Sequence, residues 1–391
     1  MALCAFFIAY AFVGCVYWLW MFVGVIRVVR AVPLLARAEC PAPQNWPRLS
    51  VIIPACNEGA ALESALKSVL QQDYPDLQII LIDDRSTDAT AAIVDRMATG
   101  DPRILAIHVE QLPEGWLGKV NALNLGTAKA DGSWLLYTDA DVHMSPGMLR
   151  QAVAYAEHHA VDQVAAVPDM WPSSLPVDAC IAMFCRGFVV ATRLWGVADP
   201  KSGAFAGIGA FNLVRRAALE KTEGFAWLRL EVGDDFGLGM MLKQSGARCH
   251  VVNARGLLGL RWYPTLADMA HGAEKAYASL ARCSLLRMVA LSVALVVMEW
   301  APLVALASWR VPGLFWSGLA MLAAAVGSHA IIARWARARL LPGLFFPLAS
   351  LIAAGVMLRS GWLGFRRGGI MWRGTLYPQR QLVAGRRLRI P

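Results

Sequence analysis

The residues best able to do chemistry lie in one short run, Trp134-Leu135-Leu136-Tyr137-Thr138-Asp139-Ala140-Asp141. An apolar stretch of strand type ends there in two carboxylates one residue apart. Their repulsion is costly unless something cationic accompanies them. Aspartates at this spacing can hold Mg2+ or Mn2+ through hard oxygen ligands, with substrate phosphates completing the octahedron. Such a metal stabilises a departing diphosphate as Lewis acid and template. The competing reading is a helix cap, because Asp141 precedes a helix expected near Pro146. Two other apolar runs also end in polar groups: 49–55 is followed by Asn57-Glu58, and 77–84 ends in Asp83-Asp84. Those acids in register favour the metal. A further pair, Asp234-Asp235, opens a helical stretch. It is either a dipole-favoured cap or a base able to deprotonate a hydroxyl nucleophile.

The elements that position these groups follow from periodicity. Strands are expected over 49–55, 77–84, 103–110 and the run ending at Asp139. Helices are expected over 59–72 and over 86–100, the second with capping residues at its start. Continuous apolar strands separated by helices imply an α/β fold with a parallel sheet covered on both faces. Ligands in such sheets sit beyond the carboxyl ends of the strands, where all three acidic turns fall. No GxGxxG and no GxxxxGK[ST] follows any strand, so the cleft is acidic where a dinucleotide or P-loop fold would offer glycines and backbone amides.

The remaining chain is apolar and basic. Of the 391 residues 57% are hydrophobic, and the excess is local. Residues 2–26 carry no charge and are long enough to cross a bilayer, with the character of an uncleaved anchor. Three more apolar stretches cover 288–309, 313–332 and 340–358. Between Arg48 and Leu286 lie 26 of the 28 acids and 21 of the 37 bases, a net of −5; the rest of the chain carries +14. The positive balance therefore belongs to membrane-flanking segments, and basic residues interleaved with stacking aromatics are missing from the middle, which excludes a nucleic-acid partner. Arg27, Arg30 and Arg37 follow the first span, and Arg334, Arg337 and Arg339 follow the third. Both flanks are then cytoplasmic, and the middle domain with them. Three full late spans would place the tail outside, although it holds eight Arg and no acid. Pro342, Gly343 and Pro347 favour a segment 340–358 that does not cross fully. The eight cysteines show no metal-ligand spacing and are expected to be reduced. The boundaries are an anchor and linker (1–47), a catalytic domain (48–265), an amphipathic interfacial helix (266–286), membrane helices (287–358) and an Arg-rich tail (359–391).

Taken in order, VIIPACNEG (51–59), IDDRSTDAT (82–90), GWLGKVNALNLG (115–126), TDADV (138–142), GAFNLVRR (209–216) and GDDFGLG (233–239) resemble glycosyltransferase family 2. The resemblance covers about 48–262. The anchor, late spans and WRGTLYP (372–378) are similar to a bacterial membrane branch with hopanoid-associated and ceramide-glucosyltransferase-like enzymes. It implies a GT-A fold, Rossmann-like with a mostly parallel sheet, joined to about four membrane helices. It also implies an inverting, metal-dependent hexosyl transfer of one sugar from a nucleotide-sugar, commonly UDP-linked, to a lipid acceptor in the membrane. By position, Pro54, Asn57 and Glu58 line the nucleotide pocket, with Cys56 where relatives often have arginine. Asp83 or Asp84 holds the nucleobase, and Asp139 the ribose, diphosphate or metal. Asp141 ligates the metal, Lys119 reaches the diphosphate, Asp235 is the catalytic base and Asp234 its neighbour. His143 reads as a loop residue.

Two alternatives remain open. A processive polysaccharide synthase would carry QxxRW after the base, but LLGLRW (257–262) has Leu258 in the place of glutamine. A non-catalytic scaffold that binds nucleotide-sugars would have little use for a full set of buried carboxylates, which are costly without a cation.

Overall fold

The computed structural model describes residues 2–281 and 284–388, and these fall into two compact units. One unit comprises Val32–Trp171, Gly196–Arg261 and the C-terminal segment from Gln381. Its centre is a seven-stranded sheet in the order Ile104–Val109, Leu77–Asp84, Leu49–Ala55, Trp134–Tyr137, Asn212–Arg215, Gln163–Val167, Cys249–Asn253. Only Asn212–Arg215 runs antiparallel to its neighbours. The expected strands 49–55 and 77–84 form with those bounds. Their runs are continuous rather than alternating because both sheet faces are covered, and Val51, Ile52, Ile79, Ile80, Leu81 and Ile82 are all fully buried. Each such side chain contributes about 1.5–3 kcal/mol, so truncating one of them is a severe change.

Register brings the polar strand ends to one edge. Ala55 lies opposite Asp83, and Asp83 opposite His108. The helix Gly118–Lys129 lies flush on this sheet at Gly126, where a Cβ would sit 2.6 Å from Ile52 Cγ2. That close approach fixes the height of Lys119 above the strand ends. A smaller sheet joins His143–Met144, Leu258–Leu260 and Asp169–Met170.

The other unit comprises residues 1–31, 172–195 and 262–380. Among the described residues, five helices are long and apolar enough to cross a membrane: Ala5–Ala31, Leu175–Gly196, Leu285–Ala307, Pro312–Trp335 and Leu341–Arg367. The sequence suggested four. The additional one, 175–196, was hidden by Asp178 and Arg186. Within the helical unit Arg186 is neutralised by Glu299, with Nη2 2.7 Å from Oε2, and its guanidinium lies 4.7 Å from the Trp18 ring centre. This accounts for Glu299 inside an otherwise apolar span, since a charge at that depth persists only when paired. The helix expected at 266–286 forms over Leu266–Leu280 behind a Thr265–Asp268 capping box. Its Glu274 is buried against Arg359 at 3.1 Å and Arg367 at 2.8 Å. The helix therefore packs on Phe346–Arg367 through an ion-paired face.

Candidate functional site

The strand Trp134–Tyr137 stops because its next residues bond sideways. Thr138 Oγ1 donates to the Ala210 carbonyl at 2.7 Å, and the Asp139 N–H donates to the Gly209 carbonyl at 3.1 Å. The same loop returns a donor: the Gly209 N–H reaches Asp235 Oδ2 at 2.8 Å, while the Phe236 N–H reaches Oδ1 at 2.8 Å. Asp235 is thus held on both oxygens by backbone amides at the start of the helix Asp234–Gln244. Lys119 comes from the first turn of its own helix, with Nζ 2.7 Å from Asp139 Oδ1 and 3.4 Å from Asp234 Oδ2. Lys119, Asp139, Asp234 and Asp235 line one small cavity with Thr138, Gly209 and Asn212. Two glycines permit this approach. A Cβ on Gly207 would lie 1.6 Å from the Asp235 carbonyl oxygen, and one on Gly209 would lie 2.7 Å from Asp139 Oδ2.

Charge in the cluster is unbalanced. Burial pushes the Asp141 carboxyl up to about 7, and the nearby Asp139 and Glu58 carboxylates push in the same direction. Burial also raises Asp235, aided by Asp234 and opposed by Lys119. Burial alone would lower the Lys119 ammonium, but Asp139, Asp234 and Asp235 outweigh it and hold the proton well above the ordinary lysine range. One ammonium among this many carboxylates leaves an excess of hard oxygen donors around Asp141. That donor set fits a divalent cation such as Mg2+ or Mn2+.

Asn57, Glu58, Asp83 and Asp84 lie at the ends of the neighbouring strands and do not line the Lys119 cavity. Asn57 takes a left-handed backbone (φ 56°), and its Oδ1 accepts from the Thr87 N–H at 2.8 Å. Ser86 Oγ accepts from the Asn57 N–H at 3.0 Å, Thr90 Oγ1 from the Glu58 N–H at 2.8 Å, and Asp88 Oδ2 from the Gly59 N–H at 3.0 Å. The helix expected over 86–100 is corrected to Thr90–Gly100. Asp88 does cap it, Oδ1 accepting from the Thr90 N–H at 2.9 Å, while its Oδ2, Ser86 Oγ and the Thr87 N–H shape the Asn57–Gly59 turn and keep 86–88 out of the helix. Pro54 is half-buried in its strand opposite Ile82.

Asp83 and Asp84 have separate partners. Asp83 Oδ2 is 3.1 Å from His108 Nδ1, and His108 Nε2 is 2.9 Å from Asp95 Oδ1. Asp84 is gripped bidentately by Arg85 at 2.8 and 3.1 Å. Gly118 packs on that pair, where a Cβ would stand 2.2 Å from Asp84 Oδ2. Hence Asp84 shapes the turn that launches Lys119. His143 bridges the Asp141 carbonyl and Ser64 Oγ, each at 3.2 Å, so it steadies the turn that carries Asp141. Sequence reasoning gave no role to His108, Arg85, Gly207 or Gly209. The last two stand in the string GIGAFN (207–212), whose paired glycines are the one available signal.

Residues 50–178 match the family described as Glycosyl transferase family 2, and the chain carries that domain. The mannosyltransferase PcManGT from Pyrobaculum calidifontis, solved in complex with GDP-Man and Mn2+, superposes with a TM-score of 0.54 at 21% identity. The match covers 91% of this chain and 97% of that one, and it establishes a GT-A-like α/β fold. Among curated relatives, the GalNAc(5)-diNAcBac-PP-undecaprenol beta-1,3-glucosyltransferase of Campylobacter jejuni is 36% identical over 103 residues, covering 26% of this chain and 32% of that protein. The 4,4'-diaponeurosporenoate glycosyltransferase of Staphylococcus haemolyticus is 25% identical over 218 residues, covering 55% and 56%. The chain thus spans about a third and about half of the length of these two relatives.

Proposed function

We propose that this protein is an inverting, metal-dependent glycosyltransferase that moves one sugar from a nucleotide-sugar to a lipid in the membrane. The observation that carries the proposal is the Asp235 carboxylate, fixed by two backbone amides at the end of the Asp139–Lys119 cavity. Asp235 is the base: it takes the proton of an acceptor hydroxyl while that oxygen bonds to the anomeric carbon. The bond from that carbon to the diphosphate oxygen breaks on the opposite face, and the nucleoside diphosphate leaves with the electron pair. One in-line displacement inverts the configuration and needs no second carboxylate as nucleophile. The raised proton affinity of Asp235 suits a base working near neutrality. Asp234 orients the site through Lys119. Lys119 holds Asp139 in place, and it is near enough to the strand ends to meet a diphosphate by exchanging that partner. Asp141, with Asp139, would hold Mg2+ or Mn2+, whose chemistry when bound is to neutralise the charge of the departing diphosphate. Pro54, Asn57, Glu58 and Asp83 are assigned to the nucleotide, with Asp84 as the brace of the Lys119 turn.

The lipid acceptor is supported by the five apolar helices, and two of the relatives are named for a PP-undecaprenol-linked substrate and for 4,4'-diaponeurosporenoate. The arginines that follow the first and third apolar stretches, and the eight in the acid-free tail, support a sheet-containing unit and a tail on the cytoplasmic side.

The test is a donor panel. Protein purified in detergent is incubated with UDP- and GDP-sugars, Mn2+ or Mg2+ and bacterial lipid extract, and the product is examined by mass and by NMR of the anomeric proton. One added sugar with configuration opposite to that of the donor is expected. A lipid bearing a sugar chain of graded length would point to the processive reading, and release from no donor would refute the transferase.

A further inference from the structure

Beside the acidic cluster, Glu231 is a carboxylate that the mechanism does not use, and it is 2% exposed. A buried carboxylate is tolerated only when its oxygens are hydrogen-bonded. Glu231 Oε2 accepts from the backbone N–H groups of Arg387 at 2.7 Å and Leu388 at 2.8 Å, more than 150 positions away. Its other oxygen, Oε1, accepts from the Gly233 N–H at 3.3 Å. Gly233 is the residue immediately before Asp234 and caps the helix that bears Asp234 and Asp235. One side chain therefore ties the C-terminal segment to the entry of the base helix.

Other contacts seat the same segment. A Cβ on Gly385 would lie 2.4 Å from Leu230 Cβ, so the backbone there passes as close as only glycine allows. Leu382 is buried, Arg387 Nε donates to the Trp227 carbonyl at 3.4 Å, and its guanidinium sits 5.5 Å from the Trp227 ring centre. Trp227, Leu230, Glu231 and Gly233 form one short stretch, and the segment touches each of them.

We infer that residues 381–388 are a strap that positions the Asp234–Asp235 turn, with Glu231 as the positioning residue through which it acts. The inference rests on Asp235 being the base of the proposed reaction. Undocking the strap removes two of the three backbone donors to Glu231, and the carboxylate must then rehydrate, opening the 227–233 loop. The strap thereby couples the C-terminal end of the chain to the geometry of the base, and it gives the Arg-rich tail a role apart from lipid attraction.

The test removes backbone donors and leaves the acidic cluster untouched. Arg387→Pro/Leu388→Pro deletes both N–H groups, and Val383→Ala at an exposed strap position is the control. Hydrogen exchange of residues 228–236 is read alongside nucleoside diphosphate release from UDP-glucose and GDP-mannose. The double variant is expected to exchange at least tenfold faster over 228–236 and to lose at least tenfold in kcat, with donor KM within threefold. Val383→Ala is expected to match the parent in both. Unchanged exchange over 228–236 in the double variant would overturn the strap, as would a kcat equal to that of the parent. If the parent itself releases no diphosphate, the proposed function fails while the exchange result still decides whether the strap holds the loop.

Discussion

Replacing Lys119 by methionine keeps the aliphatic stem and deletes an ammonium that lies 2.7 Å from Asp139 and 3.4 Å from Asp234. Two unit charges at such range interact by about 4 kcal/mol at an effective dielectric of 20. Breaking a buried pair costs about 3–5 kcal/mol. The lysine side chain is 23% exposed, which screens part of this and leaves about 2–4 kcal/mol at pH 8. For a domain of this size that is a fall in Tm on the order of 5–15 °C. The loss should depend on pH. Without the ammonium, the folded variant holds protons on its carboxylates to higher pH than the parent does. Its stability relative to the parent therefore falls as pH rises and is largely recovered at pH 5, where protonation relieves the repulsion. Thermal unfolding of parent and variant in detergent at pH 5 and pH 8 measures both quantities. An equal deficit at the two pH values would mean that Lys119 acts by packing, and the electrostatic account of the cluster would be wrong.

Three further outcomes follow from the same geometry. Because Asp141 holds its proton up to about 7, Mn2+ must displace that proton, so calorimetry should show affinity falling by up to tenfold per pH unit below 7, with proton release; an affinity flat from pH 5 to 8 would remove Asp141 from the ligand set. Gly209→Ala places a Cβ 2.7 Å from Asp139 Oδ2 and 3.4 Å from Asp235 Oδ2, and turnover should drop on the order of 10–100-fold with little loss of Tm. The hydrogen bond that the His108 imidazolium donates to Asp83, then that to Asp95, raises its pKa, so its stabilisation is full below about 6.5 and is lost as pH rises through the folded value. His108→Gln should accordingly destabilise at pH 5.5 by less than about 1 kcal/mol, since the ring is well exposed, and hardly at all at pH 8 in denaturant titrations.

Much of this arrangement is legible in the sequence because buried parallel strands are uniform apolar runs, and the polar residue that ends each one marks the ligand edge. Leu49–Ala55 and Leu77–Asp84 were bounded correctly for that reason. The start of the helix at 86 misled because residues that prefer to cap a helix can also bind the amides of a distant turn: Ser86 Oγ and Asp88 Oδ2 accept from Asn57 and Gly59, and only Asp88 also caps the helix. The antiparallel strand Asn212–Arg215 gave only four residues of signal, and its pairing depends on neighbours far along the chain. Helix 175–196 was masked by Arg186, whose partner Glu299 lies 113 positions away. Glu231 was passed over for the same reason, since its donors come from the opposite end of the chain. Local periodicity carries strands and helices, whereas the pairing of buried charges is a property of the folded chain.

The central claim is that Asp235 is the base and Asp141 the metal ligand of one sugar-transfer site, and two variants separate these roles in one assay. Nucleoside diphosphate release and Mn2+ binding would be measured for the parent, Asp235→Asn and Asp141→Ala. The account predicts that Asp235→Asn loses at least a thousandfold in turnover while binding Mn2+ within threefold of the parent, and that Asp141→Ala loses both turnover and Mn2+ binding. Turnover by Asp235→Asn within tenfold of the parent, or undiminished Mn2+ binding by Asp141→Ala, would contradict it.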